Sequence, residues 1–493
     1  MKRYGLFIDN TWVPAADGAF FVSHGPADGE PIAEFAAAAA SDVDAACRAA
    51  RAAFADSWAD TDPAERAELM LTAASILKRR VKEFAECEAR DTGKPVSESL
   101  GFDIPFSILA FEYFANIARE VQGHVIPISR TGGREMFDFV TYEPYGVVAV
   151  ISPYNFPLHL LTRSLCPALA AGNTVVCKAS SLTPFTTSLL GEVILEAGFP
   201  PGVVNIISGS GTVAGEALAA HRDVDVIAFT GSEPVGRRLV EISARSPIMK
   251  KTVLELGGKG PFIVEPDCDV EGTLASTLLG LCYNQGEVCC AMTRLFLHEQ
   301  IYDDFLGKLV SRMNALIMGD ILDPMTQIGS LISAEHLEEV DRRVKEAVRE
   351  GARVLCGGER YSVPPCDKGN WYRPTILENV REDSPCCREE VFGPVLVVRK
   401  YRDIRDAVRM SNDTDFGLGA NVFTQDYQTA YWAARKLNAG TVWVNMPNGA
   451  QMSSPFGGNK NSGMGREYGV FGLHEYLRPK NNMWNMKRGF SYY

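Results

Sequence analysis

The sequence predicts an α/β fold in which parallel sheets are covered by helices, and three observations carry that prediction. From Val147 the short apolar runs VVAVI, NTVVCK, VVNII and DVIAFT are separated by helix-like stretches such as PALAAG and Thr187 to Ala197. That is βαβ punctuation, and strands without polar alternation belong to sheets buried on both faces. After ELGGK the alternation restarts with FIVE, a helix through Leu274 to Cys282, and the apolar run Arg294 to Leu297, so a second α/β unit follows. The 493 residues and 46% hydrophobic content exceed what one core usually supports, so two or three packed units are expected.

The remaining elements follow in chain order. An Ala-rich segment between Ser41 and Phe54 opens with Ser41, Asp42 and Asp44, acceptors suited to the free N–H groups of a helix start. A second helix is expected from Pro63 to about Ala89. Pro144 to Thr162 is a long uncharged stretch, but Pro144, Pro153 and Pro157 interrupt it, so it reads as a buried strand and loop rather than a membrane span. The amino terminus reaches Asp9 before an apolar core of secretory length, and no signal peptide is read there.

A net charge of -12 without a basic run argues against nucleic acid or an anionic membrane as partner. Twelve cysteines in a chain of this length, none in a C-x-x-C pair, point to neither a disulfide framework nor a metal site. They imply a reducing compartment, and the expected location is cytoplasmic.

Four features could carry chemistry. NIISGSGTVAG, from Asn205, runs a strand into a glycine-rich turn containing Gly211, but its spacing is not G-x-G-x-x-G and an ordinary βα turn explains it as well. Thr230, Gly231 and Ser232 form a similar turn after DVIAFT, again placing N–H groups at a helix start, where ordinary α/β connection chemistry is the alternative. Cys289, in NQGEVCCAMTR, follows a Gly-bearing turn that could present a thiol to a cleft, although free cysteine is also a common buried hydrophobe. Glu255 ends the apolar strand TVLELGG, where burial would raise its pKa toward that of a useful base, unless it faces solvent.

Together these pieces closely resemble the aldehyde dehydrogenase superfamily over nearly the whole chain. Its motifs stand in order: ISPYNFPL from Ile151, KASS from Lys178, FTGSEPVG from Phe229, LELGGK from Leu254, GEVCCA from Gly286, EEVFGPV from Glu389 and PFGGNKNSGMGRE from Pro455. The resemblance implies oxidation of a small-molecule aldehyde to a carboxylic acid with NAD or NADP. Cys289 would form a thioester, Asn155 and the Cys289 N–H an oxyanion hole, and Glu255 would activate the hydrolytic water. Retention of Glu255 favours hydrolysis over transfer to coenzyme A.

Cofactor contacts are implied for Ile151, Ser152, Tyr154, Lys178, Ser181, Gly211, Gly231, Ser232, Leu256, Glu390 and Phe392. No metal site is implied. Relatives that prefer NAD often carry an acid where this chain has Ser181, three residues after Lys178, so NADP should also be accepted. Tyr154 replaces the usual tryptophan, and Ala179 a common proline.

On the substrate side the resemblance points to Phe156, Arg163, Cys290, Phe456 and the loop Met446 to Met452. Arg163 follows Asn155 by eight residues on an expected helix, which would bring both side chains to one side. It resembles both the arginine of succinate-semialdehyde dehydrogenases and that of aryl-aldehyde members, and a structural ion pair is the alternative. A semialdehyde and an aromatic aldehyde both stay open.

The implied architecture is a Rossmann-like parallel-sheet cofactor domain (1–120 and 145–256), an α/β catalytic domain (257–461) and a small β oligomerisation ribbon (121–144 and 462–493). The ribbon would join Val121 to Thr141 with the tail near Tyr476 to Met486, giving a homodimer or homotetramer. Two other functions compete: a catalytically silent structural or binding relative, and a thiol esterase of the same fold.

Overall fold

Continuous apolar runs become fully buried central strands. VVAVI, TVVCK and VIAFT are buried along their whole length at Val147–Ile151, Thr174–Lys178 and Val226–Thr230. The structure is a computed structural model, and it describes residues 1–127 and 136–486.

The first strand of this group in sequence, Val147–Ile151, lies in the middle of an eight-stranded sheet. The chain moves outward on one side through Thr174–Lys178 and Val204–Ile207, then crosses back to Val226–Thr230 and Lys251–Glu255 on the other. These five strands are mutually parallel. The reversal of direction between Val147–Ile151 and Val226–Thr230 opens a crevice at the strands' carboxyl ends, where doubly wound sheets bind ligands. Antiparallel pieces close both edges: Leu6–Ile8 and Thr11–Val13 on one side, Gly463–Met464 on the other.

A second sheet of seven strands is built from Gly260 onward, with Met292–His298 and Gly260–Val264 near its centre. Its neighbours are parallel except for the edge pair Arg353–Cys356 and Thr375–Glu378. A three-stranded antiparallel ribbon joins Leu477–Asn485 to Met136–Pro144 and His124–Ile126. Within the expected ribbon segments, residues 128–135 and 487–493 lie outside the described residues.

Two helix expectations need adjustment. The helix at Ala40–Asp56 starts a residue early, and Asp42 caps it by accepting the Ala39 N–H at 2.9 Å. The single helix expected from Pro63 is two, Pro63–Arg79 and Val81–Thr92. Arg80 leaves helical geometry between them (φ -105°, ψ 14°), and its guanidinium pairs with Glu83 and Glu192 across the break. Among the described residues no helix is long and apolar enough to cross a membrane, and all twelve cysteines are free.

Candidate active site

The carboxyl ends of the first sheet open into a cavity of about 670 Å³. Ile151, Ser152 and Tyr154 enter it after the central strand, Lys178 ends the next strand, Gly211 begins the helical turn after Val204–Ile207, and Gly231 and Ser232 follow Val226–Thr230. Ser181 and Leu256 complete this wall, and Glu390 and Phe392 reach in from the second sheet's side. Every residue named above as a cofactor contact therefore lines one cavity.

Its chemistry suits a phosphate-bearing, flat cofactor. Ser232 stands in extended geometry before the helix Glu233–Arg245 and makes no side-chain cap, so the first helical N–H groups face the cavity without that acceptor. A Cβ on Gly257 would come within 2.3 Å of the Glu390 carboxylate, so any larger residue there would displace that carboxylate from its present position. The Glu390 carboxylate accepts the Gly258 N–H at 2.9 Å, and burial pushes its carboxyl up to about 7. Burial also pushes the Lys178 ammonium down to about 8. Phe392 sits in the left-handed region (φ 57°), held by its carbonyl to His336 Nε2 at 2.7 Å, with its ring edge-on to Tyr154.

Cys289 lines this cavity and also a second one of about 230 Å³. Its presentation depends on a tight turn after helix Val270–Cys282, in which Asn284 (φ 47°), Gln285 (φ 45°) and Gly286 (φ 78°) are all left-handed. Such geometry costs about 1–3 kcal/mol per non-glycine residue and persists only where the surroundings enforce it. Here they do. Asn284 Nδ2 donates to the Asn155 carbonyl at 3.0 Å and Gln285 Nε2 to Glu287 Oε2 at 2.8 Å. Glu287 Oε1 accepts the Ile332 N–H at 3.0 Å.

The same buried network fixes Asn155. Its Nδ2 donates to the Glu287 carbonyl at 2.9 Å, and its own carbonyl accepts Lys94 Nζ at 2.8 Å. Lys94 is in turn paired with Asp103 at 2.5 Å in full burial. Neither Lys94 nor Asp103 carried a signal in the sequence, because the network closes only across distant segments.

Glu255 is 2% exposed, and neither carboxylate oxygen has a hydrogen-bond partner among the described residues. Burial raises its pKa well above the carboxylate range, opposed by Arg163 and reinforced by Glu467 and Cys289. The Cys289 thiol is itself raised, first by its hydrogen bond with Cys290 and then by burial.

The second cavity gathers Phe156, Arg163, Cys290 and Phe456, with Pro447, Asn448, Gly449 and Ala450 from the loop Met446 to Met452. Met446 and Met452 are not in its wall. Phe102, His159, Tyr283, Trp443 and Tyr468 also line it and were not foreseen; His159 shares the helix of Arg163, and the other four come from separate segments without a common motif. Thr212, Glu216, Arg238 and His336 were likewise missed in the larger cavity.

The helical relation between Asn155 and Arg163 is corrected. The helix Pro157–Ala170 begins beyond Phe156 (φ -138°, ψ 70°), so Asn155 belongs to the preceding turn and Arg163 alone to the helix. Pro157 at the first helical position sets that boundary. Arg163 is 2% exposed, donates to Thr230 Oγ1 at 2.9 Å and lies over the rings of Phe456 and Tyr468. Among the described residues it makes no salt bridge, so the structural ion pair is absent there.

With this geometry in place, comparisons with known proteins assign a family. The pattern of the aldehyde dehydrogenase family matches residues 12–482. A mitochondrial aldehyde dehydrogenase of Leishmania tarentolae is 42% identical over 96% of this chain and 93% of its own. Human retinal dehydrogenase 2 is 38% identical over 97% of this chain and 91% of its own. The structure of a Bacillus cereus aldehyde dehydrogenase in complex with NAD+ superposes with a TM-score of 0.95 at 36% identity, covering 99% of this chain and 97% of that one. The chain belongs to the aldehyde dehydrogenase family along nearly its whole length.

Proposed function

We propose that this protein oxidises an aldehyde to a carboxylic acid through a thioester on Cys289, with NAD or NADP in the larger cavity and the aldehyde in the smaller. The observation that carries the reading is the shared position of Cys289 in the walls of both cavities, next to a buried Glu255 with no bonded partner. The open helix start at Ser232, the glycine beside Glu390 and the NAD+ held by the Bacillus cereus neighbour support the cofactor assignment.

The raised Cys289 thiol needs a base, and a carboxylate raised by burial is a better proton acceptor than a solvated one. Glu255 takes the thiol proton, and the thiolate forms a C–S bond to the aldehyde carbon. The resulting alkoxide is stabilised by the second N–H of the Asn155 amide and the Cys289 N–H. When bound, the nicotinamide supplies the acceptor for the hydride that leaves this carbon, which is thereby oxidised to a thioester. Glu255 gives the thiol proton up to solvent and, a carboxylate again, deprotonates a water; the water oxygen adds to the thioester carbon, and cleavage of the C–S bond frees the acid and the thiolate.

An aromatic aldehyde is the favoured substrate class. Phe102, Phe156, Tyr283, Trp443 and Phe456 supply flat apolar walls, and Arg163 is already bonded to Thr230 between ring faces, close to Glu255 and Glu467. A carboxylate beside it would be a third acidic group in one small space.

Exposed apolar side chains on the ribbon, such as Val125, Met483 and Trp484, support assembly as a homodimer or homotetramer. Twelve free cysteines support a reducing, cytoplasmic setting.

The test is reduced-nicotinamide absorbance with NAD and NADP against benzaldehyde, hexanal and succinate semialdehyde. Benzaldehyde turnover that exceeds the other two is expected. A preference for succinate semialdehyde would replace the aromatic assignment, and no reduction with any aldehyde would remove the dehydrogenase reading.

A further inference from the structure

The smaller cavity is walled mainly by rings, and three polar atoms of its wall have no partner: Arg163 Nε, Asn448 Oδ1 and His159 Nδ1. The first belongs to a guanidinium already tied to Thr230, and the second to an amide already bonded to the Cys290 carbonyl at 2.7 Å. His159 is different. It stands one helical turn before Arg163 on Pro157–Ala170, so both side chains share the face turned to the cavity. It is 3% exposed and packs edge-on against Phe102 and Phe106.

Its tautomer is set by a neighbour. His159 Nε2 lies 2.7 Å from Tyr468 Oη, and the Arg163 guanidinium lies 5.6 Å from the Tyr468 ring centre. Arg163 also contributes a hydrogen bond to the Tyr468 side chain, and a guanidinium can only donate, so the phenol oxygen accepts from it and its own hydrogen is left for Nε2. An imidazole that accepts at Nε2 carries its proton at Nδ1. Burial beside Arg163 and Lys94 keeps the ring neutral. The outcome is a single N–H donor among aromatic walls, without an acceptor among the described residues.

We propose that His159 is a specificity-determining residue whose Nδ1–H donates to an oxygen carried on the ring of an aromatic aldehyde, a phenol or an aryl ether. The inference rests on the proposed use of this cavity for an aromatic aldehyde. Arg163 and Tyr468 act on it as positioning residues, by holding the tautomer.

The test separates recognition from turnover. Methoxybenzaldehydes and ethylbenzaldehydes have nearly the same size and differ in one ether oxygen, which can only accept. Their meta and para isomers are titrated into Cys289→Ala protein, where binding is read calorimetrically without reaction. For at least one isomer the methoxy compound is expected to bind about three- to tenfold more tightly than its ethyl partner.

Adding His159→Leu should abolish that ratio. His159→Asn, which keeps an N–H near the Nδ1 position, should restore part of it, with circular dichroism confirming a folded protein in each case. Equal affinities for methoxy and ethyl compounds in the parent protein, or a ratio unchanged by His159→Leu, would overturn the proposal. Absence of aldehyde oxidation by the wild-type enzyme, with the binding ratio intact, would instead count against the dehydrogenase reading.

Discussion

The two cavities that meet at Cys289 are built by different means. The larger one is framed by backbone: strand ends, helix starts, and a glycine, Gly257, where a side chain would displace the Glu390 carboxylate. The smaller one is framed by side chains from separated segments, with Phe102, Tyr283, Trp443 and Tyr468 meeting through tertiary packing alone. Backbone framing ties function to local motifs and tolerates little change. Side-chain framing lets specificity vary while the fold and the reaction stay fixed.

If that division is right, substitutions at the junction should affect every substrate, and those in either cavity only one partner. The largest effect is expected for Cys289→Ala, with a fall in turnover of about 10⁴-fold or more for all aldehydes alike. Reduced-nicotinamide absorbance measures it, and residual turnover that depended on the aldehyde would place the nucleophile elsewhere.

Glu255→Gln should lower steady turnover by about 10²- to 10⁴-fold. Rapid-mixing absorbance should still show a burst of reduced cofactor where enough thiolate forms, because the substitution blocks thioester hydrolysis more than its formation. Since burial raises this carboxyl, the wild-type steady rate should climb as pH rises and the base form fills, and the variant should lose that rise.

Asn155→Ala removes one donor of the proposed oxyanion hole and should cost about 10²- to 10³-fold in kcat, with KM for the cofactor little changed. A defect confined to cofactor KM would move Asn155 from the junction to the larger cavity.

Ser181→Glu tests the larger cavity alone. A carboxylate there should shift the NAD over NADP ratio of kcat/KM by about tenfold, roughly 1.4 kcal/mol, and leave the ranking of aldehydes intact.

An effect on stability rather than turnover concerns the turn between the cavities. Glu98 accepts the Asn284 N–H at 2.8 Å, and burial pushes its carboxyl up to about 8. The folded protein therefore keeps a proton that the unfolded chain has lost above its ordinary pKa of 4.5, so this group makes stability fall as pH rises from there to about 8. Glu98→Gln keeps an acceptor for Asn284 and removes the titration. Its unfolding free energy, measured by denaturant titration, should slope less steeply between pH 5 and 8, by up to about 1.4 kcal/mol per pH unit.

Motif density made much of the larger cavity readable in advance. Lys178, Gly231, Ser232, Glu390 and Phe392 each sit in a short segment whose function depends on local backbone geometry, and all line one space. Asn155 and Arg163 mark where the reading stopped. Their spacing suggested one helix, but Pro157 begins the helix after Asn155, and Lys94 together with Asn284 and Glu287 of one turn hold that asparagine from two other parts of the chain.

By itself the sequence determined the two parallel-sheet units, the family, and Cys289, Glu255 and Asn155 as the residues to watch. Apolar periodicity and glycine-bearing turns are local properties that survive without coordinates. Only the tertiary structure decided that Glu255 is buried without a partner among the described residues, that Arg163 bonds Thr230 rather than a carboxylate there, and that His159 leaves Nδ1 unpartnered while Nε2 meets Tyr468. Burial, desolvation and tautomer depend on neighbours brought from remote positions, and sequence spacing contains no measure of them.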